Sequence, residues 1–243
     1  MSILSVKDLS FDYPDKSILH RLTFSIDKGD FLCIAGTNGT GKSTLLKLIL
    51  NILRPLEGSI SLLGKSSVNF SEYDKIAYVS QKATSFNRDF PATVEEIVSL
   101  GLYKKNSFFK RESKKEREQK IDEVLKKVGL TEYKKKKVGL LSGGQQQRVF
   151  IAKALISQPE IIFLDEPTVG IDVSAVDSIC CLLGDLNKAG LTIVMVTHDI
   201  SSVLYHSTKI LILNEAGGGK LMDSEKFNSK PIFAHFSHGG HNA

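Results

Sequence analysis

Alternating and continuous apolar segments divide the chain into predicted strands and helices. Residues 3–9 and 22–26 alternate between polar and apolar positions, which is typical of half-buried strands. The runs 31–35, 161–164 and 192–196 are almost wholly apolar, which predicts strands that are buried on both faces. A helical pattern lies between the last two runs, so a parallel sheet is expected.

Helical periodicity also follows the first buried run, across a glycine-rich segment. It covers residues 44–53 and stops before Pro55. A strand, a glycine-rich loop and a helix in this order are the context that a phosphate-binding loop requires. A further short strand is predicted at residues 76–80.

Two capping-box patterns mark the starts of helices farther along the chain. Thr93 and Ser142 each stand three residues before a Glu or a Gln, so a helix is expected to begin at each of them. The second helix should run to Ser157, just ahead of a proline. From Thr93 to Lys137 the pattern is helical and basic, which predicts a helical insert of about fifty residues in an α/β core.

The composition favours a cytosolic globular protein. Hydrophobic residues make up 42% of the 243 positions and charged residues 24%, which are ordinary values for such a protein. The longest apolar stretch, residues 45–53, is broken by Lys47 and is too short to cross a bilayer. The first eight residues lack the charged-then-apolar pattern of a signal peptide. We therefore expect any membrane role to come through a partner.

The formal net charge of +5 is unevenly distributed along the chain. Eight Lys or Arg residues and three Glu residues lie between Lys104 and Lys120, and residues 134–137 add four lysines. Because acids are interspersed, a solvated helical face is the first interpretation. A surface facing anionic lipid headgroups or acidic partners is the alternative.

The glycine-rich segment GTNGTGKS, residues 36–43, has the pattern of a phosphate-binding loop. Its glycines let backbone N–H groups approach a β-phosphate, and the helix N-terminus behind them favours negative charge. Lys42 is expected to bridge the β- and γ-phosphates, and Ser43 to place its hydroxyl on Mg²⁺. The other residues of this loop predicted to bind nucleotide are Gly36, Thr37, Asn38, Gly39, Thr40, Gly41 and, through an α-phosphate contact, Thr44.

Polar side chains with catalytic potential follow three of the predicted strands. Asp165 and Glu166 come directly after the run 161–164 and lie at the carboxyl end of the strand, where α/β sheets bind ligands. Asp165 is expected to hold Mg²⁺ through water, and Glu166 to orient or deprotonate the attacking water. His198 and Gln81 follow two other strands. His198 can reach a γ-phosphate, although a structural role is the alternative, and Gln81 can touch Mg²⁺ or the water.

A second anion site is predicted at the start of the helix that begins at Ser142. Ser142 at the N-cap, followed by Gly143 and Gly144, exposes several backbone N–H groups, and Gln145 completes the capping box. One triphosphate does not need two such sites in one lobe. We therefore expect these four residues to close on a γ-phosphate that another subunit holds.

Taken together, these residues resemble the ATP-binding-cassette (ABC) ATPase family over nearly the whole chain, to about Leu213. Thr37, Thr40 and Lys153 replace residues more usual in that family, and none of the three has a catalytic role. This resemblance assigns the nucleotide motifs: 36–44 is the Walker A loop, 161–165 is Walker B, and Glu166 is the catalytic carboxylate. It also identifies Gln81 as the Q-loop, 141–145 as the signature, 170–172 as the D-loop and His198 as the H-loop switch. Tyr13 would be the aromatic residue that stacks on adenine; the alternative is a packed surface tyrosine.

The resemblance implies an α/β fold of the P-loop NTPase class and ABC type. Such a fold has a parallel-sheet core, an antiparallel β lobe and a helical insert. Residues 1–243 would then form a single ABC ATPase domain. Within it, the expected parts are a RecA-like core with the β lobe at 1–90 and 155–220, a helical signature subdomain at 91–154, and a C-terminal tail at 221–243.

The resemblance also implies partners and cofactors. ATP and Mg²⁺ are the expected cofactors, bound in two composite sites of a head-to-tail homodimer. Each motif occurs once in the chain, so both halves of a composite site require two copies. The dimer is expected under membrane permease subunits that dock near residues 81–103, on the inner face of the cell membrane. An extracellular solute-binding protein would take part indirectly, and no nucleic acid is expected.

The cargo is suggested by the segment that follows Gln81, which looks like that of bacterial zinc and manganese importers, with the zinc branch closer. The tail residues His235, His238 and His241 are candidate ligands for a divalent metal. The alternatives are an ABC ATPase for another cargo, such as a siderophore, a peptide or a lipid, and a soluble ABC protein acting on nucleic acid. The last is less favoured because the chain has neither two cassettes nor a long coiled coil.

Overall fold

The computed structural model describes residues 2–81, 89–102 and 113–228. The strands are β1 Ser2–Tyr13, β2 Lys16–Asp27, β3 Phe31–Ala35, β4 Glu57–Leu62, β5 Lys65–Ser66, β6 Ile76–Val79, β7 Ile161–Asp165, β8 Thr192–Val196, β9 Lys209–Leu213 and β10 Gly219–Asp223. The helices are α1 Lys42–Ile49, α2 Val94–Ser99, α3 Lys114–Lys127, α4 Gly143–Leu155, α5 Val173–Lys188 and α6 Ser224–Asn228, with short 3-10 turns between some of them.

The chain forms two compact units. The first comprises the residues up to Ser71 and those from Leu183 onward, and the second comprises Glu72–Leu182. The predicted helical subdomain, residues 91–154, falls wholly within the second unit. Its boundaries, and those of the predicted core and tail, stay predictions.

The first unit contains an antiparallel sheet in the strand order β2-β1-β4-β5. The alternation predicted for residues 22–26 is present in β2, where Leu22, Phe24 and Ile26 are buried between exposed neighbours. In β1 the alternation is interrupted, because Ile3 and Leu4 are both buried and the pairing with β2 shifts register between Val6 and Leu9. Tyr13 pairs with Lys16 at the end of the β1–β2 hairpin. This sheet is the antiparallel β lobe expected from the resemblance.

The first unit also contains parallel strands. Strand β3 pairs in parallel with both β8 and β9, and β10 is antiparallel to β9. All five residues of β3 and of β8 are buried, as their apolar runs predict. Burying one such aliphatic side chain stabilises the fold by about 1.5–3 kcal/mol. The carboxyl ends of β3 and β8 lie at the same edge, because Ile34 is in register with Val196.

The second unit combines a parallel strand pair, β6 and β7, with helices α2, α3 and α4. Both predicted capping boxes are present. The Thr93 side chain accepts a hydrogen bond from Glu96 N, and the Glu96 carboxylate accepts one from Thr93 N at 2.7 Å. The parallel and antiparallel strands and the helices of the two units confirm the α/β fold class.

Helix α1 ends earlier than its periodicity predicts, at Ile49. Asn51 adopts a left-handed conformation with a φ of 57°. Its N–H donates to Leu48 O at 3.0 Å, and Ile52 N donates to Lys47 O at 2.8 Å. These two bonds form a Schellman motif, which satisfies the last carbonyls of the helix and stops it.

The predicted tail, residues 221–243, starts inside structured chain. Residues 219–223 form strand β10, paired with β9, and Ser224 begins α6, where its hydroxyl donates to Ser207 O at 2.6 Å. Phe227 is buried. The candidate metal ligands His235, His238 and His241 lie outside the described residues.

Within the described ranges, no helix has the length and apolar content needed to span a bilayer.

Candidate nucleotide-binding site

The segment 36–41 forms a tight loop between β3 and α1. A Cβ atom on Gly36 would lie 2.7 Å from both Leu213 O and Thr40 Oγ1. Gly41 has a φ of 93°, and a Cβ there would lie 2.7 Å from Ile18 Cγ2. The loop can therefore keep this path only with glycine at both positions.

Lys42 lies at the centre of this loop. Its side chain is buried, at 6% exposure, and its Nζ donates to Gly36 O at 2.8 Å and to Thr37 O at 2.9 Å. Thr40 Oγ1 also donates to Thr37 O, at 2.9 Å. A buried ammonium group inside a loop whose glycines leave no room for a side chain is chemically suited to a phosphate chain.

The neighbouring loop residues differ in exposure. Thr44 is buried, Ser43 is half-buried, and Thr37, Asn38 and Gly39 are exposed. The structure thus brings all the predicted loop residues into one continuous segment at the start of α1. Their roles as nucleotide ligands stay predictions.

Tyr13 lies at the hairpin beside this loop. The residue is 39% exposed, and its ring meets the Phe11 ring edge-on, with centroids 5.1 Å apart and an interplanar angle of 89°. Its hairpin partner Lys16 reaches Gly39 O with Nζ at 3.5 Å. The edge contact with Phe11 fixes the ring, while the exposed part of its surface is accessible to a planar base.

His198 is exposed on the segment that follows β8. Thr197 N donates to Ile34 O at 3.1 Å, which holds the segment beside the end of β3 in the same unit. Asp199 N donates to Thr197 Oγ1 at 3.0 Å, and the Asp199 carboxylate accepts from Ser201 N at 3.1 Å. Sequence reasoning missed the role of Asp199 in shaping this turn, although an aspartate after a strand is a known turn signal.

In the second unit, the parallel pair β6 and β7 brings Gln81 and Glu166 together. Val79 is in register with Leu164, so the residues two positions farther along each strand are neighbours. Gln81 Nε2 donates to Glu166 Oε2 at 3.3 Å. The predicted amide and the predicted catalytic carboxylate therefore lie in direct contact.

The backbone of Glu166 is unusual for a residue with a long side chain. Its φ is 47°, in the left-handed region that such residues seldom adopt. Asp165, the residue before it, is buried at 8% exposure. Glu166 itself is half-buried, and backbone conformations of this kind are concentrated at functional sites.

Sequence reasoning missed Tyr78, which hydrogen bonds to the Asp165 carboxylate. Burial raises the pKa of Tyr78, with further contributions from the negative charge of Asp165 and from the hydrogen bond itself. The phenol is therefore protonated at neutral pH and donates a hydrogen bond to the carboxylate. Tyr78 lies on the predicted strand that Gln81 follows, but the pairing of Tyr78 with Phe163 could not be predicted from the sequence.

Helix α4 begins at Ser142 with the predicted capping box. Gln145 N donates to Ser142 Oγ at 3.3 Å, and Ser142 N donates to Gln145 Oε1 at 3.1 Å. Ser142 is exposed and Gly143 half-buried. A helix start of this kind, open to solvent, leaves room for an anion on its N-terminal side.

The two glycines that follow Ser142 also have a packing role that sequence reasoning missed. A Cβ on Gly143 would lie 3.1 Å from Ile171 Cγ2, and a Cβ on Gly144 would lie 2.6 Å from Ala175 Cβ. The start of α4 thus approaches the start of α5 more closely than any larger residue at position 144 allows.

Replacing Gly144 with alanine is expected to lower the free energy of unfolding by about 1–3 kcal/mol, because the added methyl group overpacks this contact. Adding Ala175→Gly removes the opposing methyl group, so the double variant should be more stable than the sum of the single changes predicts. Urea denaturation of the four proteins measures this coupling. Purely additive changes would show that the two positions do not constrain each other.

The residues around this helix start are tied together by polar contacts. Asp172 Oδ1 accepts from Ser174 Oγ at 2.6 Å and from Ala175 N at 2.9 Å, and so caps α5. These bonds, of which the one from the Ser174 hydroxyl has the largest effect, lower the pKa of Asp172.

Arg148 links α4 to its neighbouring helices. Arg148 Nη1 donates to Val128 O at 2.7 Å, and the same guanidinium hydrogen bonds to Ser178. Helix α4 is therefore braced against both α3 and α5.

The basic run 134–137 is partly neutralised by neighbours in the second unit. Lys134 Nζ lies 2.6 Å from Asp122 Oδ1, and Lys135 Nζ lies 2.6 Å from Glu95 Oε1. This supports the interpretation of the run as a charged, solvated face. Residues 104–112 of the other basic stretch, and residues 82–88 and Tyr103 of the predicted permease-docking segment, lie outside the described residues.

The part of the chain that the structure describes contains no group of three or more His, Cys, Asp or Glu side chains arranged to hold a metal ion.

Comparison with known sequences places this site in context. Residues 19–169 match the sequence model of the family described as ABC transporter. The chain is 46% identical over 214 residues to the zinc uptake system ATP-binding protein of Listeria monocytogenes, with 88% of this chain and 83% of that protein covered. It is 41% identical over 213 residues to the manganese transport system ATP-binding protein of Halalkalibacterium halodurans, with the same coverage of 88% and 83%.

Solved structures show the same fold. The chain resembles cbiO1 from Clostridium perfringens, part of an ABC transporter complex, with a TM-score of 0.82, 31% identity, and coverage of 96% of this chain and 94% of that chain. It also resembles an ATP-binding cassette solved as a dimer in a post-hydrolysis state with ADP and Pi, with a TM-score of 0.75, 30% identity, and coverage of 91% and 98%.

Proposed function

Because this chain belongs to the ABC transporter family, in its ATP-binding part, we propose that it is the ATPase subunit of a membrane importer for divalent metal ions. Zinc is the favoured cargo and manganese the next. The observation that carries the cargo assignment is the similarity over 214 residues to the zinc uptake protein of Listeria monocytogenes. The similarity to a manganese transport protein keeps the second metal as the specific alternative.

ATP is the substrate, and the first unit supplies its proposed binding residues. Lys42 neutralises the β- and γ-phosphates, since its buried ammonium already lies among the loop carbonyls of Gly36 and Thr37. The loop backbone and Thr44 complete the phosphate contacts. Tyr13 stacks on adenine, which the exposed part of its ring supports. Stacking of this kind contributes about 1–3 kcal/mol per base.

Mg²⁺ accompanies the phosphates in this proposal. Ser43, Gln81 and Asp165 each carry an oxygen atom of the kind that Mg²⁺ prefers, and we assign them as its ligands. The chemistry of Asp165 suits this role, because its carboxylate is buried and is held by a Tyr78 hydroxyl that donates to it. When bound, Mg²⁺ neutralises phosphate charge.

Glu166 is the proposed catalytic carboxylate, which orients the attacking water and accepts its proton. The hydrogen bond from Gln81 to the Glu166 carboxylate and the left-handed backbone at Glu166 support this role. We assign His198 to contact the γ-phosphate from the turn that Asp199 shapes. These roles rest on the family resemblance and on the local geometry of each unit.

A head-to-tail homodimer is the proposed working form. Ser142, Gly143, Gly144 and Gln145 would bind the γ-phosphate held by the other copy. The exposed helix start at Ser142 supports this assignment, and so does the related cassette solved as a dimer with ADP and Pi. Permease subunits would hold the dimer at the inner face of the cell membrane, through a surface near residues 81–103.

The cargo can be tested by deleting the gene in its natural host and measuring the uptake of zinc and manganese from metal-poor medium. Zinc uptake is expected to fall severalfold, and manganese uptake less. The natural chain and the matched variant Lys47→Ala should restore uptake, because Lys47 is exposed on the outer side of α1. Lys42→Ala should not restore it.

Each result of this experiment is informative. A fall in manganese uptake alone would replace zinc by manganese as the cargo. Normal uptake of both metals in the deletion strain would reject divalent metal import and direct attention to another cargo.

A further inference from the structure

A second lysine lies at the rim of the phosphate loop. Lys16 begins β2 and is the hairpin partner of Tyr13. Its Nζ lies 3.5 Å from Gly39 O, and a Cβ on Gly39 would be only 3.3 Å from that ammonium group. The absence of a side chain at Gly39 therefore lets Lys16 rest against the backbone of the loop.

The contact between Lys16 and the loop is weak. A distance of 3.5 Å is at the long limit for a hydrogen bond, and both residues are exposed. Lys42, in contrast, is buried and makes two short bonds to loop carbonyls. An exposed ammonium group held by one long bond can exchange the carbonyl oxygen for a phosphate oxygen at little cost, because a charged acceptor gives a stronger hydrogen bond than a neutral one.

We propose that Lys16 is a further nucleotide-binding residue, whose ammonium group contacts the phosphate chain at the outer rim of the loop. Its position follows from two observations: it pairs with Tyr13, the proposed adenine platform, and it touches Gly39 of the loop. Lys16 thus lies where the base and the phosphates of one nucleotide meet. The inference rests on the proposed binding of ATP in the first unit.

An acidic residue that contacts this loop, Glu215, provides a test of opposite sign. Thr37 Oγ1 donates to Glu215 Oε1 at 3.5 Å, so the exposed Glu215 carboxylate and the exposed Lys16 ammonium group both lie against the rim of the loop. A bound polyphosphate is attracted by the first and repelled by the second. Removing the charge of Glu215 should therefore change nucleotide affinity in the direction opposite to the removal of the charge of Lys16.

The experiment compares the dissociation constants of ATP, ADP and AMP by calorimetry for the natural chain, Lys16→Gln, Lys16→Arg and Glu215→Gln. Lys7→Gln is the matched control: Lys7 is also exposed and lies on β1, about 20 Å along the strand from Tyr13 at 3.3 Å per residue. Lys16→Gln is expected to weaken ATP binding by about three- to tenfold at low ionic strength. The loss should be smaller for ADP and smallest for AMP, because the charge of the ligand falls in that order.

The salt dependence and the other two variants test whether the effect of Lys16 is electrostatic. The loss should shrink at about 0.5 M salt, where screening acts over a few ångströms. Lys16→Arg should retain most of the affinity, and Glu215→Gln should bind ATP slightly more tightly.

Two outcomes would overturn the inference while leaving ATP binding intact. One is an ATP affinity in Lys16→Gln equal to that in Lys7→Gln at low salt. The other is an equal loss for all three nucleotides, which would place Lys16 at the base rather than at the phosphates. A natural chain that binds no ATP would instead reject the proposed function itself.

Discussion

Lys42→Ala is expected to weaken ATP binding by about 10- to 100-fold, the largest effect on affinity of any single change in the loop. The variant loses a charge-assisted contact to the phosphates. It also loses the two bonds from Nζ to Gly36 O and Thr37 O that brace the loop from inside. Because Lys42 is buried, water can replace these bonds only in part.

Titration with a fluorescent ATP analogue measures this loss, and thermal unfolding establishes whether the variant remains folded. Lys47→Ala is the matched control, since it removes the same group from an exposed position on the same helix. It should bind ATP normally. An unchanged affinity in a folded Lys42→Ala protein would remove Lys42 from the phosphate site.

Glu166→Gln is expected to slow ATP hydrolysis by about 10²–10⁴-fold while ATP binding is kept. The substitution conserves size, and a glutamine oxygen can still accept the hydrogen bond that Gln81 donates to Glu166. The change therefore removes the negative charge and the basic group without disturbing the turn. If the proposed homodimer closes on ATP and reopens after hydrolysis, ATP-bound dimers of this variant should accumulate.

Phosphate release and analytical gel filtration with ATP measure the two consequences separately. Glu160→Gln is a matched control: it makes the same chemical change in the same unit, at a residue that pairs with Lys75 at 3.6 Å. It should hydrolyse ATP at the natural rate. If Glu166→Gln hydrolysed ATP as fast as the natural chain, another group would have to activate the water.

Much of the proposed site was predictable because its functional groups belong to residues that are adjacent in the sequence. The phosphate loop needs glycines, a lysine and a hydroxyl within eight positions, and residues 36–43 supply them in order. The capping boxes at Thr93 and Ser142 need only two residues three positions apart, and both are formed. Signals that are this local do not depend on how distant segments pair.

The contacts that sequence reasoning missed join residues far apart in the chain. Lys16 reaches Gly39 because the hairpin returns β2 beside the loop. Tyr78 reaches Asp165 because β6 and β7 pair in one particular register, and a shift of a single residue would turn Tyr78 to the opposite face.

At the signature glycines Gly143 and Gly144, one feature was predictable from the sequence and another was not. Their spacing after Ser142 predicted an exposed helix start, which the structure contains. That a Cβ on Gly144 would lie 2.6 Å from Ala175 Cβ depends on how α4 and α5 pack, and nothing in the local sequence records that distance.

The amino-acid sequence alone determined the fold class, the family and the residues with the right chemistry. These follow from composition, which needs no structure, and from periodicity and motifs, which depend only on residues close together along the chain. The tertiary structure decided which of those residues touch: Gln81 with Glu166, Tyr78 with Asp165, and Lys16 with the loop. The physical reason is that strand register and helix packing are set by the sum of many weak contacts across the core, which no short segment specifies.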